Sequence, residues 1–142
     1  MPGTQLGTFK VTGQSSTNSC GLGAPNPWTF DVQLSQSGST VYWSWMDGSA
    51  LLSGPVSSQS HASIQDSVAG NVDGTDAALG PCTLDRSDDL ELDLTSDSFT
   101  GTVSYSFTPS AGASCGDQLT ASGGSFEALP CTVTYSVTAA KQ

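Results

Sequence analysis

The chain has 142 residues, 36% hydrophobic and 11% charged, with 24 Ser, 16 Thr and 16 Gly: enough for one ordinary core and poor material for helices. Thirteen acidic residues against three basic ones (Lys10, Arg86 and Lys141) leave a net charge of −10, which repels phosphate backbones and excludes nucleic acid as an expected partner. No run approaches the ~20 apolar residues of a membrane-spanning helix, and no block of like charge is long enough for a disordered tail.

Apolar residues alternate with polar ones almost throughout, the period of half-buried strands. Thr8 to Thr12 reads as a first strand. In Trp28 to Leu34, Trp28, Phe30, Val32 and Leu34 face one way while Thr29, Asp31 and Gln33 face the other, and Ser35 to Ser39 supply a hairpin loop. Val41 to Trp45 follows with Val41, Trp43 and Trp45 inward, ended by the turn dipeptide Asp47-Gly48. Between Leu51 and Leu79 the pattern is weaker, with short strands at Leu52 to Val56 and His61 to Ile64. Leu90, Leu92 and Leu94 then share a face opposite Asp89, Glu91 and Asp93. Phe99 to Phe107 and Val133 to Ala139 repeat the alternation. About eight antiparallel strands without a convincing helix predict one all-β domain over 1–142, an up-and-down barrel or a two-sheet sandwich.

Cys20, Cys82, Cys115 and Cys131 show no C-x-x-C pair, so neither a local redox dithiol nor the usual half of a zinc site is offered. Three of them stand among turn formers, and two disulfides are expected, which implies an extracellular, periplasmic or cell-surface location. The matched contexts, Ser-Cys-Gly twice and Pro-Cys-Thr twice, favour Cys20 with Cys115 and Cys82 with Cys131. A Cys20 to Cys131 pairing stays open. Met1-Pro2-Gly3-Thr4 lacks the charged start and apolar stretch of a signal peptide, so residues 1–5 read as an expression start or leader remnant and a lipid anchor through a missing leader is left undecided.

Three motifs bear on chemistry. Asp85, Asp88, Asp89, Glu91 and Asp93 read as the solvated face of a strand rather than the converging oxygens of a calcium site. Asn71-Val72-Asp73-Gly74-Thr75-Asp76 is similar to part of a calcium loop, but Gly74 comes early and no bidentate Glu follows at the required distance, so an ordinary turn is expected. His61 lies among Ser57, Ser58, Ser60 and Ser63 with Asp66 nearby, the letters of a catalytic triad without a nucleophile elbow. No metal site, cofactor or catalytic residue is assigned.

The aromatic residues are the most informative set. Phe9, Trp28, Phe30, Trp43, Trp45, Tyr105, Phe107 and Tyr135 all fall on the inward side of their strands. They read first as core; as a binding site, Trp28, Phe30, Trp43, Trp45, Tyr105 and Tyr135 would line an apolar cavity with Tyr hydroxyls and Trp N–H groups as orienting donors.

Gly7-Thr8-Phe9 opening the first strand, followed by long alternation, resembles the G-x-W start of calycins, the lipocalin and avidin superfamily. It departs from that pattern in having Phe9 for Trp and only Lys141 near the end in place of an Arg. The Gly-Thr-Phe opening, Ser-Cys-Gly, the strand from Trp28 to Leu34 with its Ser-Gly-Ser turn, and Leu-Pro-Cys before the last strand are together similar to small cysteine-stapled β domains of secreted bacterial proteins and lipoproteins. That resemblance implies compartment and fold more than activity; taken with the absence of a reaction motif, the chain reads as a secreted or surface-tethered, non-enzymatic binding or structural module for an unknown protein partner. The calycin resemblance implies a carrier of a small apolar ligand, and a hydrolase using the Leu51 to Leu79 loops is a third reading.

Overall fold

A computed structural model describes residues 1–21, 24–72 and 82–142. Eight antiparallel strands run β1 (Thr4–Asn18), β2 (Trp28–Ser37), β3 (Thr40–Ser44), β4 (Leu52–Pro55), β5 (His61–Val72), β6 (Cys82–Leu94), β7 (Ser98–Pro109) and β8 (Cys131–Lys141), with two 3-10 turns at Gly116–Gln118 and Thr120–Ser122. Their spatial order is β4-β3-β2-β1-β8-β7-β6-β5. Each strand therefore pairs with its neighbour in sequence except β4 and β5, which end the sheet, and β1 pairs with β8, the connectivity of an up-and-down barrel. Among the described residues, no helix is long and apolar enough to cross a membrane.

The strands are longer than the apolar alternation suggests, because Ser and Thr rows pair as well as apolar ones do. β1 begins at Thr4, and the predicted loop from Ser35 to Ser39 shortens to a tight turn after Ser37, where Gly38 holds a positive φ of 59°. Register shifts between Gln5 and Gly7 and between Ser15 and Thr17 let β1 bend. Its first part pairs with β2 from Thr4 to Gly13 and its later part with β8 from Phe9 to Asn18, so this one strand carries the wall around the barrel.

Closure is incomplete at one seam. β4 and β5 form no continuous ladder: Val56, just past β4, bridges Ala62, and Gly54 lies against β5, where a Cβ would stand 2.0 Å from the Ser63 carbonyl oxygen, so only glycine permits this approach. β4 has 4 residues and β5 has 12. The long β5–β6 hairpin therefore runs on past the seam, and residues 65–70 of β5 are exposed on both faces.

Inside, Phe9, Val11, Val32, Leu34, Trp43, Ile64, Leu90, Leu92, Phe99 and Tyr135 fill the barrel at 2% exposure or less. Gly13 faces inward opposite Trp28, and the Tyr135 ring lies 3.3 Å from the place its Cβ would occupy. The missing side chain lets the two rings meet, with centroids 4.9 Å apart.

Both disulfides form, but the favoured pairing is wrong: Cys20 bonds Cys131 and Cys82 bonds Cys115. The reason is register. Asn18 pairs with Val133, so two steps further along the β1–β8 ladder Cys20 comes opposite Cys131. Similar flanking residues carry no such information. Cys82 at the start of β6 is tied instead to the loop before the first 3-10 turn, where Leu84, Phe107, Ala113, Phe126 and Leu129 make a small second core.

Candidate functional site

β5 and β6 carry the barrel's inner row outward past the seam. Ala62, Ile64, Asp66 and Val68 share one face of β5, and Leu92, Leu90, Asp88 and Arg86 stand opposite them on β6. Up to Ile64 and Leu90 these side chains are in the core, and the next step places Asp66 beside Asp88. Across the opening stand Trp28 at the start of β2 and the segment from Trp45 to Leu52, which turns away from β2 after Ser44. A cavity of about 330 Å³ lies between, lined by Trp28, Trp45, Asp47, Ser49, Ala50, Leu52, Asp66, Val68, Arg86 and Asp88. This is the mouth of the barrel.

Its charges are organised. Arg86 Nε donates to Asp88 Oδ1 at 2.8 Å, and the guanidinium lies 5.3 Å from the centre of the Tyr105 ring. Asp47 Oδ1 accepts from the Ser49 amide at 2.9 Å; hydrogen bonding to Ser49, through side chain and backbone, holds its carboxyl below the usual range and keeps it ionised. With Asp66, three carboxylates face one guanidinium that already has a partner.

All six aromatic residues singled out from sequence join one network. Trp28 contacts Phe30 at 4.4 Å, Tyr135 at 4.9 Å, Trp45 at 5.9 Å and Tyr105 at 6.2 Å between ring centres, and Trp43 joins through Trp45 at 5.1 Å and Phe30 at 6.1 Å. Their roles divide. Trp43 and Tyr135 are fully enclosed, whereas Trp28, Phe30, Trp45 and Tyr105 are half-buried. The Tyr135 hydroxyl donates to the Pro25 carbonyl at 2.6 Å, and burial, followed by the neighbouring Tyr105 hydroxyl, pushes its ionisation well above the ordinary range. Trp28 and Trp45 line the mouth, while Tyr105 lines a second cavity of about 230 Å³ beside Cys20, Phe107 and Phe126.

The sequence marks no site at Asp66, Arg86 and Asp88, and reads Asp88 among the solvated acids. Its parity with Leu90 and Leu92 puts it inward, with a side chain only 11% exposed. The same even-numbered parity with Ala62 and Ile64 would have found Asp66.

Asp85, Asp89, Glu91 and Asp93 keep to the outer face, as the alternation predicts. His61 joins them: Nδ1 lies 2.8 Å from Asp93 Oδ1 and Nε2 lies 2.8 Å from Glu91 Oε2, while the Ser63 hydroxyl donates to Glu91 Oε1 at 2.8 Å. The bonds to Asp93 and then Glu91 raise the His61 pKa. For Glu91 burial pushes upward, but the bonds from Ser63 and His61 outweigh it and leave the carboxyl low. The triad letters do not assemble, because Asp66 is on the opposite face of β5 and both His61 nitrogens are held by carboxylates. The described residues contain no group of three or more His, Cys, Asp or Glu placed to hold a metal ion. The segment from Asp73 to Asp76, expected from sequence to be a turn, lies outside the described residues.

Comparison with family models, with curated proteins and with solved structures finds no match to this chain.

Proposed function

We propose that this protein is a secreted or surface-tethered, non-enzymatic binding module whose recognition site is the mouth of the barrel. One observation carries the reading. Met46 (54% exposed), Leu51 (43%) and Val68 (55%), three of the four exposed large hydrophobic residues among those described, lie in or beside the segments that frame the mouth, around two tryptophans and a set of charged groups. Apolar exposure gathered around oriented polar groups marks interaction sites, whereas scattered apolar residues do not. A larger groove of about 570 Å³ on the β5–β7 side is walled by Ser and Asp with Gln65 and offers no aromatic surface, so it is the weaker candidate. The compartment rests on two disulfides with no free cysteine, a state that persists in oxidising surroundings.

A calycin-like carrier is the second reading, and one feature favours it. β1–β8 pairing sets Phe9 opposite Lys141, whose stem crosses Gly7. Because Trp43, Phe9 and Phe99 occupy the centre, a carried ligand would bind at the mouth rather than deep inside.

The test is native mass spectrometry of non-reduced protein recovered from each cell fraction of its natural source, wild type beside Trp45→Ala. Oxidised protein outside the cytoplasm, carrying a mass that the variant loses, supports the proposal. Cytoplasmic protein with free thiols contradicts the compartment, and a retained mass that Trp45→Ala leaves unchanged contradicts the site.

A further inference from the structure

β4 covers only the beginning of β5. The Leu94 amide donates to the Ser60 carbonyl at 2.9 Å, which fixes that pair as hydrogen-bonded. By antiparallel alternation, the even-numbered residues of β5 bond to β6, and His61, Ser63, Gln65, Ser67 and Ala69 turn their N–H and C=O groups the other way. At the seam these groups are engaged: the His61 carbonyl accepts from Ser57 N at 2.8 Å and Gly54 presses on Ser63. Further along, β5 is the outermost strand of the sheet, and no strand is paired along Gln65, Ser67 and Ala69 on that side among the described residues. Gln65 to Gly70 contains neither Lys nor Pro, the residues that commonly guard such edges.

This open edge borders the mouth. A strand added to it would direct alternate side chains inward beside Asp66 and Val68, toward Trp45 and Asp47. Charge selects the occupant. Two copies of a chain with net charge −10, paired edge to edge, would bring Asp66 toward Asp66, whereas a cation meets carboxylates and tryptophan faces together. We propose that the edge of β5 from Gln65 to Ala69 takes an extended cationic peptide as an added strand, with a Lys or Arg side chain of that peptide seated in the mouth. The proposal rests on the mouth being the recognition site.

The probe is the blocked heptapeptide Thr-Lys-Thr-Lys-Thr-Lys-Thr, with its Glu counterpart and free lysine amide as comparisons, added to isotopically labelled protein with intact disulfides. Amide exchange followed by NMR is expected to slow about tenfold or more at Gln65, Ser67 and Ala69 under saturating Lys peptide, with little change at Asp66 and Val68, already in the ladder. Ser67→Pro removes one outward donor without touching a β5–β6 bond and abolishes the protection; Ala69→Pro serves if that variant fails to fold. Asp66→Asn weakens binding about two- to fivefold. Equal protection by the Glu peptide overturns the charge selection. Tryptophan emission changes with the Lys peptide and lysine amide alike, without edge protection, overturn strand addition while leaving the mouth as a site. No response to any of the three overturns the proposal, and protection in the absence of peptide with a doubled mass in sedimentation overturns it in favour of self-pairing.

Discussion

Asp66 and Asp88 face each other directly across the β5–β6 ladder, on the inner side of the sheet and one step beyond the buried pair Ile64 and Leu90. Like charges in that position oppose folding, and among the described residues Arg86 forms an ion pair with Asp88 alone. A stability-optimised barrel would continue the apolar row. Asp66→Asn is therefore expected to stabilise the fold by about 0.2–1 kcal/mol while weakening a cationic ligand. Urea unfolding at neutral pH checks the first part, and a variant less stable than wild type would show that Asp66 holds the structure instead of serving the site.

Stability should depend on pH through His61. Its pKa is raised in the folded state by Asp93 and Glu91, so its contribution is fully present below the ordinary value of 6.5 and is lost as pH rises through the higher folded value. Glu91 has the opposite sense: its lowered pKa stabilises above the ordinary 4.5, and that contribution disappears as pH falls through the folded value. Melting temperature followed from acid to alkaline pH should show wild type losing its advantage over His61→Gln as pH rises beyond 6.5. Parallel curves would deny the carboxylate contacts.

Trp43 separates packing from hydrogen bonding. Its side chain is fully enclosed and its indole N–H has no hydrogen-bond partner among the described residues. Trp43→Ala is expected to cost about 3–5 kcal/mol through the cavity it leaves. Trp43→Phe, which keeps much of the ring and removes an unsatisfied donor, should cost clearly less. Equal losses by denaturant titration would mean that the N–H does have a partner.

The two disulfides should differ modestly. Their sequence separations of 111 for Cys20–Cys131 and 33 for Cys82–Cys115 correspond to about 5 and about 4 kcal/mol in the chain-entropy model. Paired Cys→Ser replacements at each site, compared by melting temperature, are expected to rank in that order. Peptide mapping without reduction must find these two links; a Cys20–Cys115 peptide would contradict the β1–β8 register itself.

Alternation made the barrel walls legible because each inner row is apolar: Leu90, Leu92 and Leu94, or Val133, Tyr135 and Val137, can face only one way. It failed where the inner row turns polar. Asp66, Arg86 and Asp88 carry the parity of core residues but the chemistry of surface ones, so composition outweighed position. Strand ends extend further than alternation shows for a related reason, since Thr4, Ser98 and Thr132 continue the ladders with polar side chains that leave no apolar row to read. The disulfide pairing depended on β1 lying beside β8, a long-range neighbourhood that no local pattern encodes. The aromatic residues meet in one network, as their shared parity suggests; its division into enclosed Trp43 and Tyr135 and half-buried Trp28 and Trp45 depends on where the wall stops, which β4's brevity decides.

The most direct test of the mouth as the recognition site is crosslinking in the natural source, with a photoreactive residue placed at Val68 and, for comparison, at Thr138, which is exposed on the outer wall of β8. The account predicts a discrete covalent adduct from position 68 that position 138 does not give. An adduct from position 138 with none from position 68 would place recognition on the outer wall and contradict it.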